Sequence, residues 1–143
     1  MARLTIWIAA LSLLPAAGWA QSTTSSNYAA FEAIGEQPVQ LGYYASAKKD
    51  CSGAPLPTVQ VLTPPAAGML TVRRAELKTN KIKGCPDLTI PAQVVFYQAR
   101  SGSSGTDHVV YGVTTVNGEV ATYDVTITIK SAPVQKPSGG SPI

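Results

Sequence analysis

The chain has 143 residues, with 11 basic and 8 acidic side chains, one histidine and two cysteines. A net charge of +3 falls far short of the basic footprint of a nucleic-acid-binding domain. Neither cysteine sits in a Cys-x-x-Cys pair, and no phosphate loop, zinc motif or dinucleotide fingerprint occurs, so no cofactor is expected.

Residues 1–20 have the layout of a secretory signal peptide. Arg3 precedes the apolar run "LTIWIAALSLL", Pro15 ends it, and Gly18 and Ala20 occupy positions −3 and −1 of a cut after Ala20. The run is shorter than the roughly 20 apolar residues of a spanning helix, so no membrane span is expected. Cleavage removes 20 residues, of which Arg3 is the only basic one. It leaves 123 residues from Gln21, with a net charge of +2 and no tryptophan. The expected product is a soluble exported protein, periplasmic or secreted.

Next comes "QSTTSSNYAA", small and polar, and residues 21–34 are expected to be a flexible lead-in. "FEAI" within it is at most one helical turn. Residues 35–130 then alternate short β-branched runs with turn signals. The predicted strands are "PVQLGYYASA", "TVQVL", "MLTVR", "QVVFYQA", "HVVYGVTT" and "VATYDVTITI". No amphipathic helix and no internal repeat interrupts them. Short strands at this spacing predict an all-β sandwich of about seven strands. The tail, residues 131–143, is rich in proline, glycine and serine and reads as disordered.

Cys51 and Cys85 are an even pair in an exported chain, which is most simply a disulfide. They lie in turn-rich stretches, so the bridge is expected to tie loops. A metal or nucleophile role is the alternative.

In "VATYDVTITI" side chains alternate, placing Ala121, Tyr123, Val125, Ile127 and Ile129 on one face. Val109, Tyr111 and Val113 form the matching face of the preceding strand. The Asn117-Gly118 pair between them signals a hairpin. A two-residue turn would oppose Val113 to Thr122, apolar against polar. A three-residue loop, Val116-Asn117-Gly118, pairs Val113 with Ala121, Tyr111 with Tyr123 and Val109 with Val125. It requires a bulge at Gly118 in the left-handed region. His108 then faces solvent, and Asp107, at a loop-to-strand junction, accepts hydrogen bonds from loop N–H groups. Adjacent on a strand, the two point to opposite faces, which a catalytic triad does not allow. "SGSSG" is followed by no helix and is no nucleophile elbow. The chain is therefore read as not an enzyme.

"GMLTV" and "VVFYQARSGSSGTDHVVYGVTTVNGEVATYDVTITI" together resemble the C-terminal half of bacterial cadherin-like, immunoglobulin-like repeat domains. The matches are Gly68, Tyr97, Gly105, Asp107, Tyr111, Gly118 and Val125, spread over about Pro64 to Ile129. Ala99 stands where proline is usual, and Val109 where phenylalanine is usual. The resemblance implies an exported sandwich used for adhesion, binding or spacing. Some relatives hold calcium between domains, which makes Asp107 a candidate ligand. Calcium wants six to eight oxygens, and the acids here are scattered.

Two further features bear on function. "RRAELKTNKIKG" sets Arg73, Arg74, Lys78, Lys81 and Lys83 against one acid, Glu76. With Lys48, Lys49 and Arg100 these basic groups are a candidate patch for an acidic envelope polymer or an unknown protein partner. The alternatives are a solvated loop or protection of a sheet edge. Tyr43, Tyr44, Tyr97, Tyr111 and Tyr123 are a candidate carbohydrate platform, although two of them are assigned to the core. The expected role is a non-catalytic module for binding or structural interaction at the cell envelope. The alternative is a small secreted regulator or inhibitor presenting the basic 73–83 loop.

Overall fold

The computed structural model describes Gly18 and residues 23–134. The rest of the expected signal peptide, and residues 135–143 of the tail, lie outside the described residues. Seven strands are described: β1 (Thr24–Ile34), β2 (Val39–Tyr44), β3 (Thr58–Thr63), β4 (Gly68–Thr79), β5 (Leu88–Ala99), β6 (Gly105–Thr114) and β7 (Val120–Lys130). They form two sheets, ordered β1-β7-β6-β3 and β2-β5-β4, facing each other as a β-sandwich. No helix among the described residues is long and apolar enough to cross a membrane.

The β6–β7 hairpin has the register that alternation demands. Val113 stands opposite Ala121, Tyr111 opposite Tyr123 and Val109 opposite Val125. The turn closes through Gly118 N–H to Thr115 O (3.0 Å) and Thr115 N–H to Glu119 O (2.9 Å). Gly118 has φ +80°, a left-handed conformation that costs a residue with a Cβ about 1 kcal/mol or more. The inward faces of both strands meet Val95, Tyr97 and Ala99 of β5 in the core, with Leu41 from β2 and Ala33 from β1.

The lead-in expected over residues 21–34 is instead a strand from Thr24 onward. β1 runs parallel to β7, with Ala29 beside Val125, Phe31 beside Ile127 and Ala33 beside Ile129. Its polar start is held by backbone pairing rather than by apolar burial. Its later half alternates, with Ala33 fully buried and Glu32 outside, bonded to Lys130 at 2.7 Å. "FEAI" is strand as well.

The basic segment, expected as a loop, is strand over Arg73 to Lys78, and only Lys81 and Lys83 lie in the connection that follows. β4 continues to Thr79, paired with β5 from Gly68↔Ala99 to Thr79↔Leu88. β4 is an edge strand, so charged side chains there cost little and guard the edge. In β5 the buried side changes at Val94–Val95. Ile90, Ala92 and Val94 are buried outside the main core cluster. Ile90 and Pro91 lie against Gly53 of the β2–β3 connection.

Candidate functional site: an aromatic cavity at one end of the sandwich

The two ends of the sandwich are built differently. One is closed by the starts of β4 and β6 and the end of β5, and Asp107 is its centre. This residue is 4% exposed. Its Oδ1 accepts from Ala66 N–H and its own following amide, His108 N–H, both at 2.9 Å. Its Oδ2 accepts from Ala67 N–H (2.9 Å) and the Tyr97 hydroxyl (2.8 Å). Burial alone would raise the Asp107 pKa, but the Tyr97 hydroxyl and the three amides outweigh it and hold the carboxyl below its ordinary value. Burial and the Asp107 charge raise the Tyr97 pKa. Asp107, the candidate calcium ligand, thus spends both oxygens on protein donors. Among the described residues no three metal-ligating side chains cluster. The two loop amides, of Ala66 and Ala67, come from the β3–β4 connection rather than from the glycine-rich loop before Asp107. Arg100 belongs to this end as well, donating to Ala66 O at 3.0 Å.

His108 lies on the outer face of the larger sheet. Its Nε2 meets Asp124 Oδ1 at 2.6 Å, with about half of the imidazole exposed. A carboxylate touches the ring, but on an open strand surface rather than in a cleft.

The opposite end is open. The first residues of β1 and β7 and the last of β2, β4 and β6 surround a cavity of about 370 Å³. Tyr44, Tyr123, Leu77, Ile82, Val120 and Ala121 form its apolar wall, with Lys81, Glu119 and Thr115 among the polar lining groups. This volume and mixture fall in the range of small-molecule sites. Tyr44 and Tyr123 set the inner wall, and Tyr111 is buried behind them. The rings of Tyr111 and Tyr123 stack at 5.2 Å, cross-strand partners on one face. Tyr44 reaches across from the other sheet to 5.0 Å from the Tyr123 ring centre. The Tyr44 and Tyr111 hydroxyls bond to each other at 2.7 Å. Burial, then that bond, raises the Tyr44 pKa, and burial raises that of Tyr111. That bond uses one of the pair's two protons and leaves the other free to donate, while the rest of the inner wall is ring surface.

The Cys51–Cys85 disulfide belongs to this end, joining the β2–β3 and β4–β5 connections. It ties loop to loop and does not cross the core. Cys51 sits at φ +65°, after a turn closed by Cys51 N–H to Lys48 O. Asp50 beside it accepts from the Ser52 hydroxyl and amide, which hold its carboxyl below the ordinary value.

The five basic residues singled out from the sequence do not form one patch. Arg73 and Arg74 are neighbours on a strand and point to opposite faces. Arg73 lies beside Thr71, Phe96 and Gln98 on the outer face of the smaller sheet. Lys78 and Lys81 border a groove with Tyr43 and Asp87, and Lys83 is exposed in the β4–β5 connection. Nor do the five tyrosines make one open platform. Tyr97 serves Asp107 at the closed end, while Tyr44, Tyr111 and Tyr123 cluster within the open one. Comparison with protein-family models, with curated proteins and with solved structures finds no match to this chain.

Proposed function

We propose that this chain is an exported, non-catalytic binding module of the immunoglobulin-like, cadherin-like type, working in the periplasm or outside a bacterial cell. Its binding site is the open-end cavity. Strand order supports the type: β2-β5-β4 and β3-β6-β7 follow the B-E-D and C-F-G groupings of the immunoglobulin sandwich, with the first strand moved beside the last. The disulfide supports an oxidising compartment. The observation that carries the binding role is the 370 Å³ aromatic cavity between the sheet ends.

The processed chain has no tryptophan, so tyrosine emission reports on the cavity. Titration with 1-anilinonaphthalene-8-sulfonate is expected to quench that emission at one saturable site. Ala121→Phe, which fills the cavity wall, is expected to abolish the site while the far-UV spectrum is kept. No saturable binding to the native protein, or binding indifferent to Ala121→Phe, overturns the reading.

One observation favours a second reading, a regulator or envelope-polymer binder acting through charge. The disulfide ties the connection carrying Lys48 and Lys49 to the one carrying Lys81 and Lys83. On that reading salt-sensitive retention on dextran sulfate is lost when these four lysines become glutamine. Retention unchanged in that variant removes it.

A further inference from the structure

We propose that the open-end cavity selects an uncharged, flat ligand with a body of about two fused aromatic rings; this rests on the cavity being the binding site. Register creates the space. On the inner face of the larger sheet Tyr111 and Tyr123 pair across β6 and β7, and the next row toward the open end is Val113, Ala121 and Ser25. Rings followed by shorter side chains leave a step between the sheets, and all three of the shorter ones line the cavity. Leu77 of the smaller sheet and Ile82 of the connection after β4 close the other side. A dry cavity of about 150 Å³ takes one benzene ring, so one of about 370 Å³ takes two.

The wall favours a ring over an aliphatic body. The Tyr44 and Tyr123 rings stand 5.0 Å apart, centre to centre, and are tilted at 54° to one another. They make a corner, in which a third ring stacks offset on one and meets the edge of the other. Both arrangements are favourable for aromatic pairs beyond the area they bury. A puckered, saturated body of the same size fills the volume and gains neither. The charges favour neither sign of ligand. The lining holds one cation, Lys81, and one anion, Glu119, both exposed, and Asp87 borders the same groove as Lys81. Opposite signs set in water leave no net pull on an ion, and a charge carried in among the rings would lose its water without gaining a partner.

Four probes on one carbon skeleton separate the possibilities: 2-naphthol, its saturated counterpart trans-decahydro-2-naphthol, 2-naphthoate and 2-naphthylmethylammonium. Each is titrated into the native, processed protein at pH 7, with the amide resonances of Val120 and Ala121 followed by NMR. 2-Naphthol is expected to bind about fivefold more tightly than the saturated alcohol. Both ions are expected to bind more weakly than 2-naphthol and within about twofold of each other. Tyr123→Leu, with its far-UV spectrum checked, is expected to erase the preference for the flat body. Lys81→Gln and Glu119→Gln leave the affinity for 2-naphthol unchanged. If the saturated alcohol binds the native protein as tightly as 2-naphthol, or if either ion binds best, the cavity is a binding site and this ligand class is refuted. If none of the four moves these resonances, the cavity reading itself falls and the inference falls with it.

Discussion

Replacing Asp107 with alanine is expected to destabilise the sandwich by about 3–4 kcal/mol, more than any other single polar change among the described residues. Four donors lose their acceptor, but they do not lose equally. Ala66 and Ala67 are exposed and half-buried, and water reaches their amides. The Tyr97 hydroxyl belongs to a side chain with no exposed surface, so it is left stranded, at about 1–3 kcal/mol. Loss of the charge-assisted bonds that pin the β3–β4 connection supplies the remainder. Asp107→Asn keeps one acceptor oxygen and is expected to cost about 2 kcal/mol. Urea unfolding at pH 7 measures both. With a slope near 1.5 kcal/mol per M, the alanine variant moves the midpoint by about 2 M. The discriminating control is Tyr97→Phe. It costs about 1 kcal/mol in the native background and recovers about 1–3 kcal/mol once Asp107 is alanine, because it removes the stranded hydroxyl. Equal costs in the two backgrounds, or an Asp107→Ala loss under about 1 kcal/mol, would refute the account. The same carboxyl sets a pH dependence. Its folded pKa lies below the unfolded value of about 3.9. Its contribution is complete above that value and is lost as pH falls through the folded pKa. Asp107→Asn is expected to flatten the acid limb of stability against pH.

Three further outcomes are expected. Gly68→Ala costs about 3 kcal/mol or more by thermal unfolding, because an added Cβ would lie 2.6 Å from both Gln98 O and the Tyr97 ring; a change below about 1 kcal/mol refutes the close approach. Replacing Cys51 and Cys85 together with serine lowers stability by about 4 kcal/mol on the chain-entropy scale for a sequence separation of 34, read from urea midpoints; no loss under oxidising conditions refutes it. In an alkaline titration followed at 295 nm, Tyr44, Tyr97 and Tyr111 resist ionisation above pH 10, since their folded pKa values are raised. Their stabilising effect is present below the unfolded pKa and fades as pH climbs through the folded values, so their ionisation coincides with loss of the far-UV β signal. Reversible ionisation of all six tyrosines near pH 10, with the fold retained, contradicts the burial of their hydroxyls.

The last hairpin was legible in the sequence because two independent signals agreed. Alternation in 120–129 fixed the inward face, and only a three-residue loop with a left-handed Gly118 let both strands share it. Asp107 was legible as an acceptor from its place at a loop-to-strand junction, where a short carboxylate takes up loop N–H groups. The identity of its loop donors was not legible, because Ala66 and Ala67 are 41 and 40 residues away in the chain. β1 was hidden by composition: Ser, Asn and Ala carry weak strand signals, and only Ala29, Phe31 and Ala33 mark its inner side. β4 was cut short because the charges after Arg73 read as loop, whereas an uncovered edge strand accepts them. The cavity had no local signature at all. Its walls come from five separate strands, and Tyr44 meets Tyr111 and Tyr123 only once the sheets face each other.

The parallel pairing of β1 with β7 has a consequence for how the molecule can be attached to anything. Chain entering at Thr24 arrives at the rim of the aromatic opening, where Thr23 and Ser25 already form part of the margin. Chain departing after Lys130 does so at the opposite pole, roughly 35 Å away for an 11-residue strand. A tether fixed behind Lys130 would leave the mouth pointing outward and unobstructed, while any bulky extension ahead of Thr24 would crowd it.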